Sequence, residues 1–104
     1  MKKQLKKLLM IRMKQFKDNT VTECELIKYH WFNRKFSSRL TKLNNGKCIN
    51  TTYDLTNNCK AFEFEFDLND FNSAQKVIND IIIFIKDEEV EKLCKILYTI
   101  TSLS

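Results

Sequence analysis

Three patterns in this sequence predict an α+β fold: a three-stranded antiparallel β-meander packed against helices, in the order α-α-β-β-β-α-α. The first is residues 61–68, where phenylalanine and carboxylate alternate with period two. Phe62, Phe64, Phe66 and Leu68 then share one face, with Glu63, Glu65 and Asp67 on the other, as in a half-buried strand. The second is a pair of turn signals, Asn44-Asn45-Gly46 and Thr56-Asn57-Asn58, which divide the middle of the chain into strand-length pieces. The third is helical spacing of apolar residues at both ends of the chain.

Taken in order, residues 2–17 read as a basic amphipathic helix. Leu5, Leu8, Leu9, Met13 and Phe16 form its stripe, and Lys2, Lys3, Lys6, Lys7, Lys14 and Lys17 lie mostly off it. Such a helix suits a core-covering role with solvated lysines, or a membrane surface, a partner groove or phosphates. Thr20-x-x-Glu23 and Thr22-x-x-Glu25 have the form of capping boxes, so a second helix is expected from residues 21–23 to about Phe36, with Cys24, Ile27 and Trp31 on one line. Strands are expected over 37–43, 47–55 and 59–68, the second with Ile49, Thr51, Tyr53 and Leu55 on one face.

Asp67 to Asp70 offers several N-cap residues. Phe71, Ala74, Val77, Ile78, Ile81, Ile82 and Ile85 then form a helical stripe over 70–86, the expected partner layer for the phenylalanines. Burial at about 1.5–3 kcal/mol per large side chain would be the main stabilising term. Ile81 to Ile85 is apolar all round and also reads as a buried fourth strand. Val90, Leu93, Cys94, Leu97 and Ile100 define a last helix. The whole of 1–104 reads as one α+β domain: a basic helical pair (1–36), the meander (37–68) and C-terminal helices (70–101).

Charge is unevenly placed within a net +5. Residues 1–47 hold 13 Lys/Arg against 3 Asp/Glu, whereas 48–104 hold 5 against 10. A bipolar chain of this kind suggests a basic face that meets something acidic, or halves that meet each other. The longest uninterrupted apolar run, Ile81 to Ile85, is far below the roughly 20 residues of a membrane span. The apolar run near the start, Leu8 to Ile11, stops at Arg12, too soon for a secretory h-region, so a cytoplasmic location (or the cytoplasm of a host cell) is expected.

Catalytic and metal chemistry find little footing. The four cysteines, Cys24, Cys48, Cys59 and Cys94, make no Cys-x-x-Cys pair and read as reduced core residues. With His30 the only histidine, every nucleophile–base pair would need that one residue, and a zinc site would need an unusual ligand set. One glycine, Gly46, rules out a glycine-rich phosphate loop. No enzyme activity and no cofactor are expected.

Binding is the remaining class, in two versions. Basic residues interleaved with Tyr29, Trp31, Phe32 and Phe36 suit nucleic acid or a ribonucleoprotein, through Lys6, Lys7, Lys14, Trp31, Arg34, Lys35 and Arg39. The central order α-β-β-β-α resembles that of double-stranded RNA-binding domains. That family opens its last helix with a lysine cluster, where Asn72-Ser73-Ala74-Gln75-Lys76 has one lysine, so the resemblance is one of order and carries over no residue. The alternative is an inhibitor or adaptor of the phage or mobile-element type, blocking a protein such as a nucleic-acid enzyme. It would use Glu63, Glu65 and Asp67 with exposed aromatics, and Ile83 and Phe84 as contacts or as a homodimer seam.

Overall fold

The computed structural model describes residues 2–102. It is an α+β structure with helix α1 (Lys2–Asp18), strands β1 (Glu23–Trp31), β2 (Arg34–Lys42), β3 (Lys47–Asp54) and β4 (Cys59–Asp67), then helices α2 (Phe71–Ile82) and α3 (Asp87–Ser102). The strands form one antiparallel sheet in sequence order, β1-β2-β3-β4. The helices pack on one face of it, with α1 between α2 and α3.

The sheet therefore has four strands, not three, and the helix expected over 21–36 is instead β1, the turn Phe32-Asn33 and the start of β2. A β-bulge explains the false helical period. The register with β2 slips between Glu25 and Ile27, which inserts one extra residue. Apolar side chains that would alternate at period two then fall at Cys24, Ile27 and Trp31, three and four apart. The bulge also leaves two successive side chains, Leu26 and Ile27, buried. Ile27, Tyr29 and Trp31 are good strand formers, and the sheet supplies the packing that decides the matter. With a fourth strand, the order likeness to double-stranded RNA-binding domains also lapses.

The other turns form where expected. Gly46 sits at φ +81° between β2 and β3, and a Cβ there would lie 2.8 Å from Asn69 Nδ2. Asn58, at φ +55°, closes the β3–β4 turn. In that turn the Asp54 carboxylate accepts from the Thr56 and Asn57 backbone amides and from Asn57 Nδ2. α2 starts at Asp70, whose carboxylate accepts from the Asn72 amide and the Ser73 hydroxyl. It stops at Ile82, and Ile83 to Ile85 form a turn, so this segment adds no strand. Asp87, Glu88 and Glu89 occupy the first turn of α3, where the helix dipole favours negative charge.

The core lies between sheet and helices. Leu5, Leu8, Leu9, Met13 and Phe16 of α1 are all buried, as their spacing predicts, with Val77, Ile78 and Ile81 from α2 and Val90, Leu93 and Leu97 from α3. On β3 the residues beneath the helices are Cys48, Asn50, Thr52 and Asp54, while the Ile49-Thr51-Tyr53 set faces the open side. Cover over the phenylalanine row is graded. Phe66 is buried and Phe64 half-buried, but Phe62 is 42% exposed because the helix layer does not reach it. Phe71, placed on the α2 stripe by its spacing, is exposed at the helix start.

Candidate functional site

The uncovered end of the sheet carries an aromatic groove. β1 ends in Trp31, β2 begins with Arg34 and Phe36, β4 brings Phe62, and the turn after α2 brings Phe84. Together with Tyr29 these residues line a groove of about 480 Å³. The Trp31 ring is the hub: its centroid lies 5.3 Å from Phe84 edge-on, 5.2 Å from Phe32 and 6.1 Å from Phe36. Tyr29 stacks on Phe36 at 5.7 Å, and burial pushes its phenol up to about 12. Rings at these separations attract one another beyond their burial, so the groove wall is preassembled.

Polar groups in the wall are fixed as well. Arg34 Nη1 lies 3.7 Å from Asp54 Oδ2. Desolvation would raise the pKa of Asp54. The Asn57 and Thr56 hydrogen bonds and the Arg34 charge outweigh it and hold this carboxyl below the usual range. Lys86 Nζ stands 4.9 Å over the Phe32 ring.

Phe32 is the unusual member. It is 70% exposed and holds φ +57° in a two-residue hairpin turn. Bulky side chains avoid that backbone region, where glycine or asparagine is the ordinary choice. Neither core packing nor backbone preference favours phenylalanine here. Ile83, 72% exposed, and Leu55, 42% exposed, add to the apolar surface at this end.

The cations expected to form one basic face lie on three surfaces. Lys7 and Lys14 are exposed on α1, on the rim of a second groove floored by Met10, Ile11 and Phe71, and Lys6 is half-buried on the same helix. Arg34 and Lys35 belong to the β1–β2 hairpin, with Trp31 beside them. Arg39 points to the open face of the sheet, in a cross-strand row that runs Glu25, Arg39, Thr51, Glu63. The structure thus brings Trp31 and Arg34 together and leaves the α1 lysines and Arg39 apart from them.

The alternative set fares differently. Phe84 and Ile83 sit at the aromatic end, and Glu63, Glu65 and Asp67 form an exposed row on the open side of β4. Lys60 Nζ lies 3.2 Å from Glu63 Oε2 and Thr51 Oγ1 donates to the same oxygen at 3.1 Å; these contacts lower the Glu63 pKa. Phe32, in the turn beside the groove, and Phe62, in its wall, are the aromatic-end residues not named as site residues from the sequence, although Phe32 counts among the aromatics interleaved with basic residues. The first was placed inside a helix and the second in the core; the only sequence signal was a tryptophan–phenylalanine pair directly before Asn33.

Among the described residues no group of three or more His, Cys, Asp or Glu is placed to hold a metal ion, and no helix is long and apolar enough to cross a membrane. Burial pushes the thiols of Cys24, Cys48 and Cys94 up, Cys48 to about 11, opposite to the shift that activates a cysteine nucleophile. The ring Nδ1 of His30 is 2.9 Å from Glu89 Oε1. No family model, no curated protein and no solved structure matches this chain.

Proposed function

We propose that this protein is a non-enzymatic binding module that holds a partner protein at the aromatic end of its sheet. The observation that carries this reading is Phe32: a large apolar side chain, mostly in solvent, kept at a backbone angle that costs stability. Residues held in sparsely populated backbone conformations cluster at functional sites. Trp31 and Arg34 beside it are the residue types that dominate protein–protein hot spots, and the groove gives a partner side chain a place to be desolvated. The scattering of Lys7, Lys14 and Arg39 over separate surfaces weighs against a single nucleic-acid track.

The test uses Phe32→Gly, which suits φ +57° and removes the ring without stressing the hairpin. Wild-type protein and this variant are used to capture proteins from cells of the source organism, and each protein lost with the variant is measured by calorimetry. We expect at least a tenfold weaker affinity for Phe32→Gly, the scale of a hot-spot truncation, and little change for Lys7→Glu/Lys14→Glu. A mixed oligonucleotide panel across a salt series is run in parallel. Oligonucleotide affinity that falls steeply with salt, and falls again in Lys7→Glu/Lys14→Glu but not in Phe32→Gly, would replace this reading with nucleic-acid binding through the basic residues.

A further inference from the structure

The two edges of the sheet are treated differently. At the β1 edge, Arg12 Nε and Nη2 both donate to the Glu25 carbonyl, at 3.0 and 2.7 Å, and Glu89 Oε2 accepts the His30 amide at 2.9 Å. Helices α1 and α3 thus occupy that edge with charged side chains. At the other edge β4 presents nine residues; among the described residues the Asp67 carbonyl at its end accepts from the Asp70 amide at 3.2 Å, and no hydrogen bond reaches the outer backbone groups from Ala61 to Glu65. Cys59, Ala61 and Phe62 of this strand are also one wall of the aromatic groove. An open edge is thus continuous with an apolar groove on one face and a carboxylate row on the other.

We infer that β4 takes up an extended segment of the partner protein as a fifth strand, one whose side chains alternate apolar and basic. This rests on the aromatic end being the binding site. Strand addition satisfies the outer N–H and C=O groups of β4 through main-chain hydrogen bonds, and alternate side chains of the added segment fall on opposite faces. Those on the helix side lie beside Phe64, half-buried against the core, and Phe62, at the groove. Those on the open side lie beside Glu63 and Glu65, and Glu65 has no cation within ion-pair distance among the described residues. Cross-strand pairs of opposite charge stabilise and like charges destabilise. A second copy of this chain is the wrong occupant for that reason: antiparallel pairing centred on Glu63, Phe64 or Glu65 sets carboxylate against carboxylate. Lysine or arginine at every second position is the complementary choice.

The full chain is tested by fluorescence anisotropy against three labelled seven-residue peptides. One alternates lysine with valine, one alternates glutamate with valine, and one has the lysine and valine residues in blocks. The alternating lysine peptide is expected to bind at least tenfold more tightly than the other two. In Glu63→Lys/Glu65→Lys, two exposed changes on a folded sheet, the order of the lysine and glutamate peptides is expected to reverse. Methylating alternate backbone nitrogens along the lysine peptide should abolish its binding, because the ladder is lost while the side chains remain. Equal binding of all three peptides, no binding, or indifference to methylation would each overturn the inference, as would a dimer in which β4 is protected from amide exchange. Loss of partner capture in Phe32→Gly together with a blank peptide assay would leave the binding site standing and remove only the added strand.

Discussion

Single buried side chains of the sheet set how this fold meets pH. Tyr29 and Cys48 are buried on the helix-covered face, and burial pushes them up from 10.0 to about 12 and from 9.0 to about 11. The unfolded chain therefore loses these protons first as pH rises. Both groups contribute fully below pH 9, and the contribution is lost between about 9 and 12. A two-unit shift is worth on the order of 2–3 kcal/mol when fully expressed. Denaturant unfolding under reducing conditions should show stability falling from pH 9 to pH 11, and Tyr29→Phe with Cys48→Ala should flatten that slope. An unchanged slope in the double variant would assign the alkaline loss to other groups. Nearby, Ser38 Oγ donates to Asn50 Oδ1 at 2.8 Å, while Asn50 Nδ2 and Thr52 Oγ1 are buried without a partner. These polar positions gave the sequence of β3 no inward-facing apolar pattern, so which side of β3 faced the core could not be read from it.

At the scale of elements, legibility followed regularity. α1, α2 and α3 each carry a regular stripe; that of α1 is buried throughout, and those of α2 and α3 are buried along the middle of the helix, with Phe71 exposed and Ile82, Cys94 and Ile100 half-buried. β4 has a strict alternation, and the pairing of Cys48 with Phe66 follows from placing two tight turns. β1 was not legible because one bulged residue sets Cys24 and Ile27 three apart, which, followed by the two regular strand repeats from Ile27 to Trp31, mimics a helical spacing of three and four. Consequently the turn at Phe32-Asn33 was invisible, and with it the aromatic end, whose rings come from β1, β2, β4 and the turn after α2. A further prediction concerns the closed edge. Glu89 takes both the His30 amide and its ring nitrogen, so Glu89→Ala removes two hydrogen bonds and uncovers the end of β1. A loss of about 1–2 kcal/mol is expected in thermal or denaturant unfolding, with faster amide exchange at His30. Retained protection at His30 would mean that α3 covers this edge by packing alone.

Over the whole molecule the charge split of the sequence does not become two faces. Basic residues of the first half are spread over α1, a hairpin and the open side of the sheet, and several meet acidic partners from the second half: Lys2 with Asp87 at 3.7 Å, His30 with Glu89 and Arg34 with Asp54. Of the two readings of a bipolar chain, the contact of one half with the other is partly realised inside the fold, with most of the α1 lysines left over. The Lys2–Asp87 pair is exposed, and the cations of the other two pairs are more than half exposed, so the ionic part of each contributes little. Raising salt from low to high should therefore shift the unfolding midpoint only slightly, whereas loss of a helix from the single apolar face should be severe. A chain ending at residue 86 is expected to fail to unfold cooperatively and to bind hydrophobic dyes; a sharp transition would show that α1 and α2 suffice as cover.

The order of closure has a consequence for biosynthesis. Every strand pairs with its neighbour in sequence across turns of two to four residues, so the sheet assembles from local hairpins. The contact of Gln15 Nε2 with the Thr101 carbonyl, by contrast, spans 86 positions. A nascent chain leaving the ribosome thus holds all four strands before α3 has been made. Its apolar face stays partly uncovered for the several seconds that translation of the remaining residues takes at about 5–20 residues per second. In that interval the open β4 edge and the uncovered sheet face lie side by side, so crosslinking of a nascent chain arrested at residue 86 is expected to capture chaperones that a chain extended through α3 does not.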